Sequence, residues 1–269
     1  MSTIDILNNY NDIKEDLKFI TTSSVRTKII LSLNQGNKNL SDLKNELNLE
    51  SSAALHALKK LENHDLTFKK ENKYHLSSFG KLYAVKSKNL FKSFHAIKKC
   101  EKIWLDHCIE GITPDLLKKI RYLSNSYIIE STPTDIIKPY NYYAKLLSKA
   151  GRIKSVSPIF YYPNLDLYKK VLMKNANIEL ILTPLILDKM IKIGDIENLK
   201  KVISSGDLKL HEINEDVKIA FTVAENFLSI GLFSNEGLFD ATINLISNDE
   251  EAIEWGNKLF NYYLLAEDV

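Results

Sequence analysis

Cysteine is scarce in this 269-residue chain, occurring only as Cys100 and Cys108; that excludes a disulfide framework and agrees with a reducing compartment. Glycine and proline are also few, at 9 and 6, so collagen-like and Pro/Gly-rich disordered chains are out. Long apolar runs are missing. Stretches such as Phe227 to Phe233 are strand-length, far short of the roughly 20 residues that span a bilayer. Residues 1–16 carry Asp5, Asn8, Asn9, Asp12 and Glu15, where a secretory signal needs a basic start and an apolar centre. A cytoplasmic protein with no membrane partner is expected. What is present, 45% hydrophobic and 26% charged residues, is enough for two cores of about 100 to 150 residues each.

The net charge of +2 hides an asymmetry: residues 1–110 hold 18 Lys and Arg against 13 Asp and Glu, and residues 111–269 hold 18 against 21. Residues 51–99 are the most basic, with eleven Lys against Glu62, Asp65 and Glu71. Such a block suits a polyanion, although a solvated lysine-rich face has the same composition.

Apolar spacing divides the chain near residue 111. Before it, Val25, Ile29, Ile30 and Leu33, then Leu40, Leu43 and Leu47, then Leu55, Leu58 and Leu61 recur at three or four, which predicts three short amphipathic helices. Leu66 to Lys70 and Lys73 to Leu76 alternate around Glu71-Asn72 and predict a small hairpin, with Asn72 suited to a positive φ. Helix resumes from Ser77 and runs, with a break, to Cys108. After Gly111-Ile112-Thr113-Pro114, strands are predicted at Tyr127 to Glu130, Ile153 to Ser157, Ile178 to Leu182, Leu208 to Ile213, Val217 to Thr222 and Leu228 to Phe233. Helices are predicted at Asp135 to Ala150, Leu165 to Lys174, Leu185 to Ile193, Ile196 to Ser204 and Asp249 to Tyr263. This alternation implies a mixed α/β fold with a mostly parallel sheet and antiparallel strands near the end. The expected organisation is a winged helix-turn-helix domain over residues 1–80, a helical linker or dimerisation segment over 81–110, and an α/β regulatory domain over 111–269.

Three helices followed by a hairpin is the order of a winged helix-turn-helix, whose third helix enters the major groove of DNA. With Ser52 as zero and 100° per residue, Lys59, Ser52, Asn63, His56 and Lys60 fall at roughly 340° to 80°, and Ala57, Leu61, Ala54, Leu58 and Leu55 at roughly 140° to 300°. A solvated amphipathic helix has the same wheel; the element order and the basic block favour nucleic acid. Ser51 is expected to cap the helix and present its N-terminus to phosphate. Lys59 and Lys60 would reach phosphate or guanine edges, and Ser52, His56 and Asn63 would read bases. Lys69, Lys70 and Lys73 would carry the wing onto phosphate.

Several segments are shared with known regulators. Thr27 to Leu33, Leu40 to Leu43, Ala53 to Leu61 and Tyr74 to Gly80 resemble archaeal winged-helix transcription regulators. Ile129 to Asp135, Val156 to Phe160, Ile178 to Thr183 and Ala252 to Phe260 resemble the filamentation, or methanogenesis, regulatory protein family of methanogenic archaea, over nearly the whole chain. The sheet and the winged-helix context also resemble sugar-sensing archaeal regulators whose effector domain is phospholipase-D-like in outline. That resemblance implies a transcription regulator.

In an open α/β sheet, ligands sit beyond the C-terminal ends of the strands. Ser131 with Thr132, Ser157 and Thr183 stand at three such ends, each followed by proline. They would converge on a small polar or anionic effector, unless Ser/Thr-Pro merely starts the next loop. An enzyme is not expected. The phospholipase-D His-x-Lys motif is absent, since His211 is followed by Glu212-Ile213; His64 and His75 lie in the DNA-binding half; and no nucleophile elbow, Walker loop or dinucleotide fingerprint occurs. Cys100, His107 and Cys108 suggest zinc or redox chemistry, but three ligands leave a zinc shell incomplete. In a continuous helix the two sulfurs lie about 12 Å apart along the axis, too far for a disulfide. Packing of Cys100, Trp104 and Cys108 is the favoured reading, with no metal and no cofactor. Asp240, Glu254 and Trp255 are read as packing and solvation. The expected protein is a homodimer on double-stranded DNA, joined through helices from Lys81 to Cys108. The alternative is a winged helix used for protein contacts, with the α/β half as scaffold.

Overall fold

A computed structural model of the chain describes residues 2–193, 203–214 and 216–266. It divides into two compact units, Met1–Phe91 and Lys92–Val269. Among the described residues no helix is long and apolar enough to cross a membrane.

The first unit contains α1 (Thr3–Thr21), α2 (Ser24–Leu33), α3 (Leu40–Leu47), α4 (Ser51–Asn63), β1 (Thr67–Lys70) and β2 (Lys73–Leu76), and α5 (Ser78–Lys99) begins in it. Local signals fix most ends. Ser2 with Asp5, and Asn39 with Asp42, form reciprocal capping boxes on α1 and α3, each satisfying two backbone donors. Left-handed Asn48 (φ 51°) stops α3, as a C-terminal Asn can. Ile29, Ile30, Leu33, Leu43, Leu58 and Leu61 are buried together with Leu66, Tyr74 and Leu76 of the hairpin. That joint burial makes the three helices and the hairpin one packed body, in the order expected from the sequence. In the hairpin Thr67 pairs with Leu76 and Lys70 with Lys73. Both loop residues, Glu71 (φ 48°) and Asn72 (φ 61°), are left-handed, the type I′ arrangement that matches strand twist.

Two expectations for this unit are corrected. Helix α1 is not among the helices expected from the sequence; its apolar residues, among them Ile4, Leu7, Tyr10 and Ile13, are largely exposed, so they form no core stripe to announce it. Ser51 does not cap α4. The N-cap is Glu50, with no side-chain hydrogen bond, and Ser51 is the first helical residue.

Close packing joins α5 to the hairpin. A Cβ built on Gly80 would lie 1.9 Å from the Leu66 carbonyl oxygen, and the Gly80 N–H donates to Ser77 Oγ at 2.9 Å. Backbone cannot yield as a flexible side chain does. Gly80→Ala is therefore expected to destabilise this unit by about 1–3 kcal/mol, the usual range for overpacking, visible as a lower urea midpoint; an unchanged midpoint would show that α5 can tilt away freely.

The second unit contains α6 (Glu101–Asp106), α7 (Pro114–Leu117), a 3-10 turn (Ile120–Leu123), β3 (Tyr127–Glu130), α8 (Lys138–Leu147), β4 (Arg152–Ser157), α9 (Tyr162–Leu172), β5 (Asn177–Leu182), α10 (Pro184–Ile193), β6 (Leu208–Glu212), β7 (Ile219–Ala224), β8 (Leu228–Leu232), β9 (Ile243–Ser247) and α11 (Glu250–Leu265). Thr113 caps α7 with Pro114 at its first position, as the sequence predicts. The predicted helix Ile196 to Ser204 falls mainly on residues 194–202, outside the described residues.

The sheet order is β3-β9-β8-β7-β4-β5-β6. Only β4–β5 and β5–β6 are parallel; β3–β9, β4–β7, β7–β8 and β8–β9 are antiparallel. The expectation of a mostly parallel sheet is therefore overturned. A parallel connection needs a crossover of a dozen or more residues, whereas six residues separate β6 from β7 and three separate β7 from β8. Strand β9 is not among the strands expected from the sequence.

One face of the sheet packs Val156, Phe221, Val223, Ile230 and Leu245 against Trp255, Leu259 and Phe260 of α11. The other packs Ile153, Ile178, Leu180, Leu182 and Leu208 against α8, α9 and α10 through Leu147, Leu167, Val171, Ile186 and Met190. Residues of β4, β7 and β8 alternate between the two faces, as a pleated strand requires.

Candidate nucleic-acid interface and ligand cavity

Helix α4 presents two sides. Ala54, Ala57, Leu58 and Leu61 are buried, while Ser52, His56, Lys59, Lys60 and Asn63 are exposed. Ser51 is half-buried at the N-terminal end, beside the exposed Glu50 carboxylate. Leu55, placed on the apolar side by the wheel, is 47% exposed: at roughly 300° it lies at the margin of the buried arc and extends the outward surface. Lys69, Lys70 and Lys73 are exposed on the hairpin. Lys69 lies over the Tyr74 ring at 5.5 Å and Lys70 stands 4.0 Å from the Glu71 carboxylate. Among the described residues no carboxylate pairs with Lys59, Lys60 or Lys73. The structure thus gathers all nine sequence-predicted contacts on one helix and the adjoining hairpin, with most of their cations uncompensated.

The second unit holds a cavity of about 450 Å³. It lies on the α8–α9 side of the sheet, where the apolar face gives way to small and polar residues. Ser155 pairs across the strands with Thr222, and Thr222 with Ser229. Ala220 pairs with Gly231. All five line the cavity, with Ser157 and Asn244. A Cβ on Gly231 would come within 2.7 Å of the Phe239 ring, so glycine here lets Phe239 close over the sheet. Tyr140 and Tyr143 of α8, Asn164 and Tyr168 of α9, and Ile159 to Tyr161 between β4 and α9 complete the walls.

A chain of hydroxyls crosses the floor. Ser155 Oγ donates to the Phe221 carbonyl at 3.0 Å and lies 2.9 Å from Thr222 Oγ1; Thr222 Oγ1 is 3.1 Å from the Tyr143 hydroxyl, which is 3.4 Å from that of Tyr168. Desolvation, then the neighbouring Tyr168, pushes the Tyr143 phenol well above its ordinary pKa, so it remains a neutral donor and acceptor. Asn164 Oδ1 is buried without a hydrogen-bond partner.

Of the four hydroxyl positions expected at a ligand site, only Ser157 lines this cavity, and its Oγ donates to the Ile159 carbonyl at 2.9 Å. Ser131 Oγ donates to the Ile136 carbonyl, and Thr132 Oγ1 accepts from the Asp135 N–H. Both organise the loop before α8. Thr183 lies at the start of α10, where its carbonyl accepts from Ile186 and Leu187. The cavity residues missed by sequence reasoning had a usable signal: Ser155-x-Ser157, Ala220-x-Thr222 and Ser229-x-Gly231 place small or polar residues at period two inside otherwise apolar strands.

The cysteines lie elsewhere. Cys100 is fully buried at the break between α5 and α6, and burial raises its thiol pKa; Cys108 is half-buried. His107 places Nδ1 2.9 Å from the Ile103 carbonyl and Nε2 3.1 Å from Asp240. Burial opposes ionisation of Asp240, but hydrogen bonds from Thr242 and His107 outweigh it and hold its pKa low. Among the described residues no group of three His, Cys, Asp or Glu side chains is arranged to hold a metal.

Two family models match the chain: the N-terminal domain of methanogenesis regulatory protein FilR1 over residues 14–95, and its middle domain over residues 136–266. The chain belongs to the FilR1 family. A FilR1 regulator from Methanothrix harundinacea (strain 6Ac) is 25% identical over 255 residues, which cover 94% of this chain and 57% of that protein. The chain thus spans little more than half the length of the curated relative. Among solved structures, the archaeal chromatin protein TrmBL2 is 14% identical with a TM-score of 0.42, covering 90% of this chain and 93% of that one. Phosphatidylserine synthase from Haemophilus influenzae Rd KW20 is 12% identical with a TM-score of 0.39, covering 51% and 37%. On the FilR1 frame, the N-terminal match contains α4 and the hairpin, and the middle match contains every residue that lines the cavity.

Proposed function

We propose that this FilR1-family chain is a cytoplasmic transcription regulator that binds double-stranded DNA through α4 and the β1–β2 hairpin. The observation that carries this reading is the exposed side of α4, where Ser52, His56, Lys59, Lys60 and Asn63 stand opposite a buried side in winged-helix order. Ser52, His56 and Asn63 are assigned to base edges and Lys59 and Lys60 to phosphate or guanine. Ser51, Lys69, Lys70 and Lys73 are assigned to phosphate. A homodimer sets two such helices about 34 Å apart, one helical turn. Support for self-association comes from α1, where Ile6, Tyr10, Ile13 and Leu17 are exposed at spacings of four, three and four, the rhythm of a coiled-coil seam. The second unit, with a phospholipase-D-like outline and none of that superfamily's His-x-Lys nucleophiles, serves as an effector receiver and catalyses nothing.

A protein-contact role for the winged helix is the competing reading, favoured by exposed Leu55 and Phe68. A gel shift with the DNA upstream of the chain's own gene, repeated over a range of salt, separates the two. The expected result is a log K that falls linearly with log salt, by about 0.9 per phosphate neutralised. Absence of a shift at low salt would leave the protein-contact reading standing.

A further inference from the structure

We infer that the cavity takes an uncharged, ring-bearing molecule. The inference rests on the reading of the second unit as a receiver and names the chemical class it receives.

Among the described residues no Asp, Glu, Lys, Arg or His lines the cavity. A charge placed there without a partner would be strongly disfavoured. The N-termini of α8 and α9 reach the wall, and such ends attract anions through free N–H groups. Both are blunted here. Pro139 and Pro163 occupy the second helical positions and have no N–H to offer, and the Asn164 N–H already donates to the Tyr161 carbonyl at 3.0 Å. Lys189, whose Nζ rests 5.8 Å from the centre of the Phe160 ring, is not among the lining residues.

The remaining surface specifies the guest. Aromatic side chains come from α8, α9 and the loop before α9, and the volume falls within the range of about 300–1,000 Å³ typical of small-molecule sites. Ile136 and Ile137 are 71% and 54% exposed and line the same cavity, so its entrance is apolar as well. Aromatic walls favour stacked or edge-on rings. The floor hydroxyls are already engaged with one another, so the floor offers a guest little unmet polarity. Uncharged apolar rings therefore match the walls and the floor together.

A matched pair of dyes tests this on the full chain. N-phenyl-1-naphthylamine is uncharged, has one N–H and brightens on leaving water; 1-anilinonaphthalene-8-sulfonate adds a sulfonate to the same skeleton. The neutral dye is expected to saturate at one site per chain, with Kd at least about tenfold lower than that of the sulfonate, about 1.4 kcal/mol or more. Ala220→Phe should abolish binding by filling the space; Ser157→Leu serves the same purpose should the Phe variant not fold by circular dichroism. Equal or tighter binding of the sulfonate overturns the ligand class alone. Failure of both dyes, or binding indifferent to the folded filling variants, overturns the receiver reading beneath it. DNA binding is measured in parallel by gel shift, so a failure of the DNA reading is seen separately.

Discussion

Replacing Lys59 and Lys60 together with Ala is expected to lower the affinity for duplex DNA by about ten- to a hundredfold at low salt and, on the proposed reading, to flatten the log–log salt slope by about 1.8, or 0.9 for each phosphate no longer neutralised. The two lysines straddle the outward side of α4, with buried Leu58 and Leu61 on either side of them in sequence. Both side chains are exposed, so folding stability should change by no more than about 0.5 kcal/mol, and a matching urea midpoint separates a weakened interface from a damaged fold. Arg at both positions keeps the charge and should restore the slope. Ser52→Ala and Asn63→Ala should instead alter preference among sequences and leave the slope nearly unchanged, because base contacts discriminate and phosphate contacts position. Binding by the double Ala variant that is indistinguishable from wild type at every salt concentration would remove α4 from the interface.

The first unit was legible because its signals are local. Each apolar set from Val25 to Leu61 repeats at helical spacing within one short segment, and the alternating strands around Glu71-Asn72 pair with each other. Glu71 in the left-handed region was not legible: a non-glycine residue there costs roughly 1–2 kcal/mol, and the need for it arises from the twist of the paired strands. The cap of α4 lies one residue before Ser51 because, although Ser outranks Glu as a cap, Glu50 carries the extended backbone.

The α/β unit was legible in its strands, with β9 as the exception, and not in their order. Strand direction depends on which neighbours pair, and that is a long-range property. Six residues between β6 and β7 carry the chain past two strands to pair β7 with β4, a step with no periodic signature. Strand β9 escapes because Asn244 interrupts its apolar run; Asn244 stands there because it faces the cavity. The cavity is hidden for a related reason. Ser131, Thr132, Ser157 and Thr183 are hydroxyls at strand ends, and those of Ser131, Thr132 and Ser157 bond within their own loops. The cavity is instead built by small residues from β4, β7, β8 and β9, which only the sheet register brings side by side.

That register is secured from the opposite face, where Trp255→Ala should destabilise the second unit by about 3–5 kcal/mol. Trp255 is fully buried, and its Nε1 donates to the Leu116 carbonyl at 3.0 Å. The helix beneath it lies close to the sheet: a Cβ on Gly256 would come within 2.6 Å of Leu228 Cδ1, so α11 has no spare room from which side chains could shift to fill the hole. Trp255→Phe separates the two contributions. It retains most of the apolar packing and removes one of the donors to the Leu116 carbonyl, which still accepts from the Lys119 N–H at 3.0 Å, so a loss of about 0.5–1.5 kcal/mol is expected for the hydrogen bond. Urea unfolding of both variants measures the difference. A Phe variant as unstable as the Ala variant would mean that the hydrogen bond outweighs the packing; an Ala variant within about 1 kcal/mol of wild type would mean that α11 does not hold the sheet. In the expected case Val156, Phe221 and Ile230 lose support on the α11 side. Ser155, Thr222 and Ser229, their sequence neighbours on the cavity side, then lose the fixed spacing that a ligand requires.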